Sequence, residues 1–164
     1  MSFSVRYRLS KKDLRQLREE VSATLPGAPM TWNNVELAKS GDYVVYFDDG
    51  LPCLARVGGR LIPTLVCLLK RGFGWLPQVL VDRGASQAIG RGADLMVPGI
   101  RGVEGTFSEG RLVVIVDEGA RVPVGVGLAL MDDEKMRAMA AAKAKGKAVQ
   151  VIHYPGDRLW KLIA

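Results

Sequence analysis

Residues 81–100 read VDRGASQAIGRGADLMVPGI, and the reading of this stretch decides the fold of the chain's second half. Gly84, Gly90 and Gly92 fall around a short segment, Ala85 to Ile89, with room for little more than one helical turn. Glycine permits close backbone approach and unusual φ. Beside a helix start it leaves main-chain amides uncovered, a natural place for a phosphate oxygen. Leu95-Met96-Val97 follows as a short strand, and Pro98-Gly99 turns the chain into Ile100. Asp94 and Pro98 read as structural residues that set this turn and the strand beyond it.

Working outward, short apolar runs recur between glycines at Gln78–Val81, Leu95–Val97, Leu112–Val116, Val122–Leu130, Ala148–Ile152 and Leu159–Ile163. Such closely spaced runs predict short strands in a small barrel or sandwich. One helix interrupts them in MDDEKMRAMAAAKAKG, from Asp132 or Asp133 through Ala144. Acids at its start, lysines at its end and Gly146 beyond match the helix dipole and its stop signal. That electrostatic role accounts for Lys143, Lys145 and Lys147 without any phosphate.

Gly74-Trp75-Leu76-Pro77 reads as a junction, with one domain over residues 1–76 and another over 77–164. Trp75 is expected to pack there. Ahead of the junction, Pro63 suits the first turn of a helix through Leu65, Val66, Leu68 and Leu69, closed by Gly72 as C-cap. Residues 30–62 read as a small antiparallel sheet, because Asp48-Asp49-Gly50 between two apolar runs is a hairpin turn. Ser10 caps a helix over about 10–22, carried by Leu14, Leu17 and Val21. Before it, Val5 to Leu9 alternates apolar and basic residues. Arg6, Arg8, Lys11, Lys12, Arg15 and Arg18 thus crowd one short span, with Asp13 as the single acid among them.

The chain has 164 residues, 48% hydrophobic and 24% charged, a composition that folds rather than stays disordered. No apolar run is long enough to span a membrane, and the N-terminus lacks a signal core, so a cytoplasmic home is expected. Net charge is +6, which favours polyanionic partners. Cys53 and Cys67 read as buried free thiols, and with His153 the sole histidine neither a zinc site nor any cofactor is expected. Seven serines are scattered outside any Gly-x-Ser-x-Gly elbow, and no Walker loop is present. His153 is separated from Asp157 by a Pro155-Gly156 turn, so it reads as structural. Asp48-Asp49 and Asp132-Asp133 are accounted for as a turn and a helix start. Catalysis is not expected.

Gly84-Ala85 followed by Gly92-Ala93-Asp94-Leu95-Met96-Val97-Pro98-Gly99-Ile100 resembles the opening of a PUA domain. LIPTLVCLLKRGFGWLPQVLVDRGA (61–85) ahead of it and VIHYPGDRLWKL (151–162) at the C-terminus are similar to the malignant-T-cell-amplified-sequence family. The similarity covers about residues 60 to 164. It implies an α+β pre-PUA domain followed by a mostly β PUA pseudo-barrel. It also implies RNA binding in translation initiation, reinitiation or recycling, with contacts to the small ribosomal subunit and to structured tRNA or rRNA. Carried onto this sequence, the RNA-facing residues are Arg83, Gly84, Ala85, Arg91 and Gly92. Arg158 and Lys161, on what is expected to be a C-terminal strand, lie beside that face. Family members act with a partner carrying an initiation-factor-like domain, or are fused to one; here such a partner would be supplied in trans or be absent. Two other classes compete: an accessory protein that positions RNA for a modification enzyme, and a protein-binding module whose basic face is merely solvated.

Overall fold

The computed structural model describes residues 2–164. The chain divides into two units, Met1–Trp75 with Lys161–Ala164, and Leu76–Trp160.

The first unit is an antiparallel meander of β1 (Val5–Arg8), β2 (Val35–Ser40), β3 (Tyr43–Asp48), β4 (Leu51–Val57) and β5 (Arg60–Pro63), hydrogen-bonded in chain order. Helix α1 (Lys11–Thr24) starts where Ser10 Oγ accepts from the Asp13 amide at 3.1 Å, and it buries Leu17 and Val21. The β3–β4 hairpin turns on Asp49 and Gly50 at φ 51° and 82°, the left-handed pair that matches strand twist. Asp48 does more than open that turn. Fully buried, it accepts from the Thr31 amide at 2.7 Å, the Trp32 amide at 3.1 Å and Arg71 Nη1 at 2.5 Å.

Helix α2 (Leu65–Arg71) begins two residues later than Pro63 suggests. Thr64 is the cap, its hydroxyl accepting from the Cys67 amide at 3.1 Å, and Pro63 is instead the last residue of β5. Gly72, at φ 96°, closes the helix as expected. Cys53 and Cys67 are free and buried, with their sulfurs hydrogen-bonded at 3.0 Å.

The second unit holds one six-stranded sheet. Its strands are β6 (Gln78–Val81), β7 (Leu95–Met96), β8 (Ile100–Glu104), β9 (Leu112–Asp117), β10 (Pro123–Ala129) and β11 (Lys147–His153), in the order β7-β11-β10-β9-β6-β8. The β6–β9 pair is parallel and the rest are antiparallel. The core between sheet and helices is apolar, with Val79, Ile89, Val113, Ile115 and Met136 among its fully buried members. The architecture is an α+β domain followed by a mostly β PUA fold.

Three expectations are corrected here. Leu159–Ile163 lies in a helix, α5 (Arg158–Ile163), because Asp157 Oδ1 accepts from the Trp160 amide at 2.7 Å and starts a turn where a strand would run on. A short apolar run cannot tell the two apart by periodicity alone. The sixth strand of the sheet is β8, hidden in IRGVE by its glycine and two charges. Helix α4 (Asp133–Ala141), capped by Asp132, stops before its lysines, since Lys143 turns left-handed at φ 52°. Lys147 instead lies in β11 and pairs with Asp94 at 3.0 Å, so helix electrostatics does not account for it. No helix among the described residues is long and apolar enough to cross a membrane.

Candidate RNA interface

The Gly-Ala and Pro-Gly pairs singled out in residues 81–100 prove to be two halves of one contact. Helix α3 (Arg83–Ile89) follows β6, and a β-carbon placed on Gly99 would sit 2.6 Å from the Ala85 methyl. Both positions must therefore be small for the corner after Pro98 to pass over α3. Ala85 is a packing residue.

Most amides near α3 are engaged. Asp82 caps the helix, Oδ1 accepting from the Ala85 amide at 2.8 Å and its carbonyl from the Ser86 amide at 3.0 Å. At the other end the amides of Gly90, Arg91, Gly92 and Ala93 all donate back to carbonyls between Ser86 and Ile89. Internal hydrogen bonds thus close the glycine-rich turn after the helix, and of the expected cradle only the Arg83 and Gly84 amides at the helix start have no internal acceptor among the described residues.

The two ends of α3 differ in charge. Around its start, Ser86 Oγ donates to Asp117 Oδ2 at 2.6 Å, and Arg101 lies 3.6 Å from Asp82 and 4.0 Å from Glu118. The Ala120 amide, then the Ser86 hydroxyl, with Arg83 adding a smaller electrostatic pull, hold the Asp117 carboxyl below the usual carboxylate range. Arg83 therefore has the Asp117 carboxylate within electrostatic reach, and a phosphate arriving there meets repulsion as well as attraction. Beyond the other end, Arg91 is exposed and makes no ion pair among the described residues. The turn that carries it is held by Gly92 at φ 91°, where a β-carbon would lie 3.0 Å from the Tyr154 hydroxyl.

Tyr154 is in turn fixed by its neighbours. The turn at Pro155-Gly156 brings His153 and Asp157 together rather than apart, with Nδ1 of the fully buried His153 2.9 Å from Asp157 Oδ2. The same carboxylate oxygen accepts from the Tyr154 amide at 2.9 Å. Burial works against the Asp157 charge, but the His153 hydrogen bond and charge and the Trp160 and Tyr154 amides outweigh it, holding its pKa below the usual carboxylate range. His153 thus serves the architecture of the Arg91 turn.

Arg83, Gly84, Arg91 and Gly92 are all exposed, while Ala85 is half-buried. Arg158 and Lys161 are exposed on α5, Arg158 in the second unit and Lys161 grouped with the first. Sequence reasoning missed Arg101, on β8 beside the Asp82 cap, and Tyr154, whose signal was only its place two residues beyond an apolar run.

Comparison with known proteins follows the same division. Residues 77–155 match the model of the PUA domain, and residues 5–71 match a domain of unknown function, DUF1947. An uncharacterised protein of Methanocaldococcus jannaschii is 35% identical over 98% of each chain. Translation machinery-associated protein 20 of Saccharomyces cerevisiae is 30% identical, covering 78% of this chain and 72% of its own. A PUA-domain protein of Aeropyrum pernix K1, crystallised as a tartrate complex, superposes with a TM-score of 0.89 at 39% identity, over 95% of this chain and 89% of that one.

Proposed function

Since the chain belongs to the malignant-T-cell-amplified-sequence and translation machinery-associated protein 20 family, a pre-PUA domain followed by an RNA-binding PUA domain, we propose that it contacts structured tRNA or small-subunit rRNA during initiation, reinitiation or recycling. The observation that carries this reading is the Arg91 turn: an exposed, unpaired guanidinium on a loop fixed by Gly92 and Tyr154. Arginine offers two parallel donors to a phosphate, and a fixed loop lowers the entropy lost on binding. Gly84 and Gly92 keep the surface low, so a helical RNA backbone can approach without meeting side chains. Arg83 contributes less than Arg91, because the Asp117 carboxylate already draws on its charge. Arg158, at the start of α5, extends the contact. A protein partner with an initiation-factor-like domain acts with it, and the place of action is the cytosol, where ribosomes are.

The test is binding of a transfer RNA at fixed salt beside thermal unfolding. Exchanging Arg83→Ala and Arg91→Ala together is expected to weaken binding about tenfold or more, with Arg91 carrying most of the loss, while melting stays nearly unchanged. Parent binding should fall as salt rises, since phosphate contacts release counterions. The protein should also co-sediment with small ribosomal subunits. Unchanged affinity in the folded double variant would remove the RNA from this surface.

A further inference from the structure

In the first unit the basic span noted in the sequence becomes one face of a helix. Lys11, Arg15 and Arg18 lie at i, i+4 and i+7 along α1, all exposed, with Lys12 beside them and Arg8 just before. At 1.5 Å per residue the line runs about 10 Å. The buried Leu17 and Val21 lie roughly a quarter-turn round the helix from this line. Three other arginines of this unit are matched to acids, Arg6 with Glu36, Arg56 with Glu20 and Arg71 with Asp48, and Arg60 is not. Arg8, Lys11, Lys12, Arg15 and Arg18 make no such pair among the described residues, although Glu19 shares the helix face.

At the end of this line stands an aromatic ring. The Arg18 guanidinium lies 5.4 Å from the centre of the Trp32 ring. Trp32 has φ 62°, a left-handed conformation that a bulky residue rarely adopts and that must be held by its surroundings. The holding group is the buried Asp48, which accepts from the amides of Thr31 and Trp32, while Thr31 Oγ1 bonds both Asp48 and Asp49. Trp32 is neither in the core nor free; it is partly exposed, stacked under a cation at the head of a cationic line.

From this we propose that α1 and Trp32 form a binding site for a single RNA strand. Lys11, Lys12 and Arg15 meet successive phosphates, and Trp32, with Arg18, stacks a base. Cations that track a backbone towards an aromatic platform are the recurring solution for single-stranded nucleic acid. An acidic protein would satisfy the cations but leaves the constrained, partly exposed ring without a role. The site uses none of the residues around Arg91, and rests on the RNA-binding reading only in expecting RNA as the polyanion.

The full chain is titrated with a fluorescein-labelled single-stranded dodecauridylate and, in parallel, with a transfer RNA. The triple variant Lys11→Ala, Lys12→Ala, Arg15→Ala is expected to bind the dodecauridylate at least tenfold more weakly, with a log–log salt slope shallower by about two. Trp32→Leu is expected to lose about tenfold on the dodecauridylate with the salt slope unchanged. Circular dichroism and melting accompany each variant. If Trp32→Leu fails to fold, Arg18→Met, which removes the stacked cation from an exposed position, is expected to lose several-fold. Parent-like binding of the dodecauridylate by the folded triple variant overturns the proposal. So does binding of polyglutamate in preference to the oligonucleotide. Loss of tRNA binding only on changing Arg83 and Arg91, with the α1 variants neutral for both RNAs, sinks this site and leaves the proposed function standing. Loss confined to the α1 and Trp32 variants does the reverse.

Discussion

The two units solve the problem of a small core in opposite ways. The first builds around buried charge: Asp48, with no exposed surface, gathers two amides, a hydroxyl and Arg71, and Arg56 is held by Glu20 and Tyr46. The second packs an apolar core and keeps its buried polar groups in local pairs, Asp133 with Arg137 and His153 with Asp157, while Asp82 and Asp132 cap helices at the rim and Asp157 also holds the last turn. A central charge fixes several loops at once but leaves every one of them dependent on it. Rim carboxylates each fix one local feature. The loss of one costs that feature alone.

The largest effect should therefore follow Asp48→Ala. Removing one partner of a buried ion pair strands the other, which costs about 3–5 kcal/mol. Hydrogen exchange should show protection lost across β2 to β4 and α2 while the sheet of the second unit stays protected. Equal loss in both units would break the comparison.

Next comes the apolar unit's own weak point. Gly99→Ala forces a methyl to within 2.6 Å of the Ala85 side chain and should destabilise the fold by about 1–3 kcal/mol. Adding Ala85→Gly should restore part of that, and thermal unfolding of the four members of this cycle measures the coupling. An additive result would deny that these two positions share one contact.

Asp157 allows a pH test. Its folded-state pKa lies below that of an unfolded aspartate, near 3.9. The stability it contributes, about 1–2 kcal/mol, is thus present above that value and lost as pH falls through the folded-state pKa. Melting curves of the parent between about pH 7 and pH 2 should drop more steeply in acid than those of Asp157→Asn. Parallel curves would make the carboxylate's charge irrelevant.

The smallest effect is expected at Arg101, whose bridges to Asp82 and Glu118 are long and more than half exposed on the arginine side. Arg101→Ala should change stability by less than about 0.5 kcal/mol. A larger loss would mean that the rim, too, depends on charge.

Local signals were legible in the linear order. Ser10, Gly72 and the Asp49-Gly50 turn act through neighbours one to four residues away, so propensity and capping chemistry suffice to read them. The glycine pattern of residues 81–100 likewise carried the PUA fold, because a missing side chain is visible in sequence even when the atom it makes room for is not. What tertiary structure alone decided were the partners at long range. Asp48 was read as a turn residue, yet its partners lie 16 to 23 positions away at Thr31, Trp32 and Arg71. The apolar run at 159–163 became a helix rather than a strand through a carboxylate outside the run. The candidate site divides in the same way. Arg83 and Arg91 look equivalent along the chain, eight residues apart with glycine after each. Folding sets one within electrostatic reach of Asp117 on β9 and leaves the other facing solvent, because electrostatic environment depends on distance in space and not along the chain.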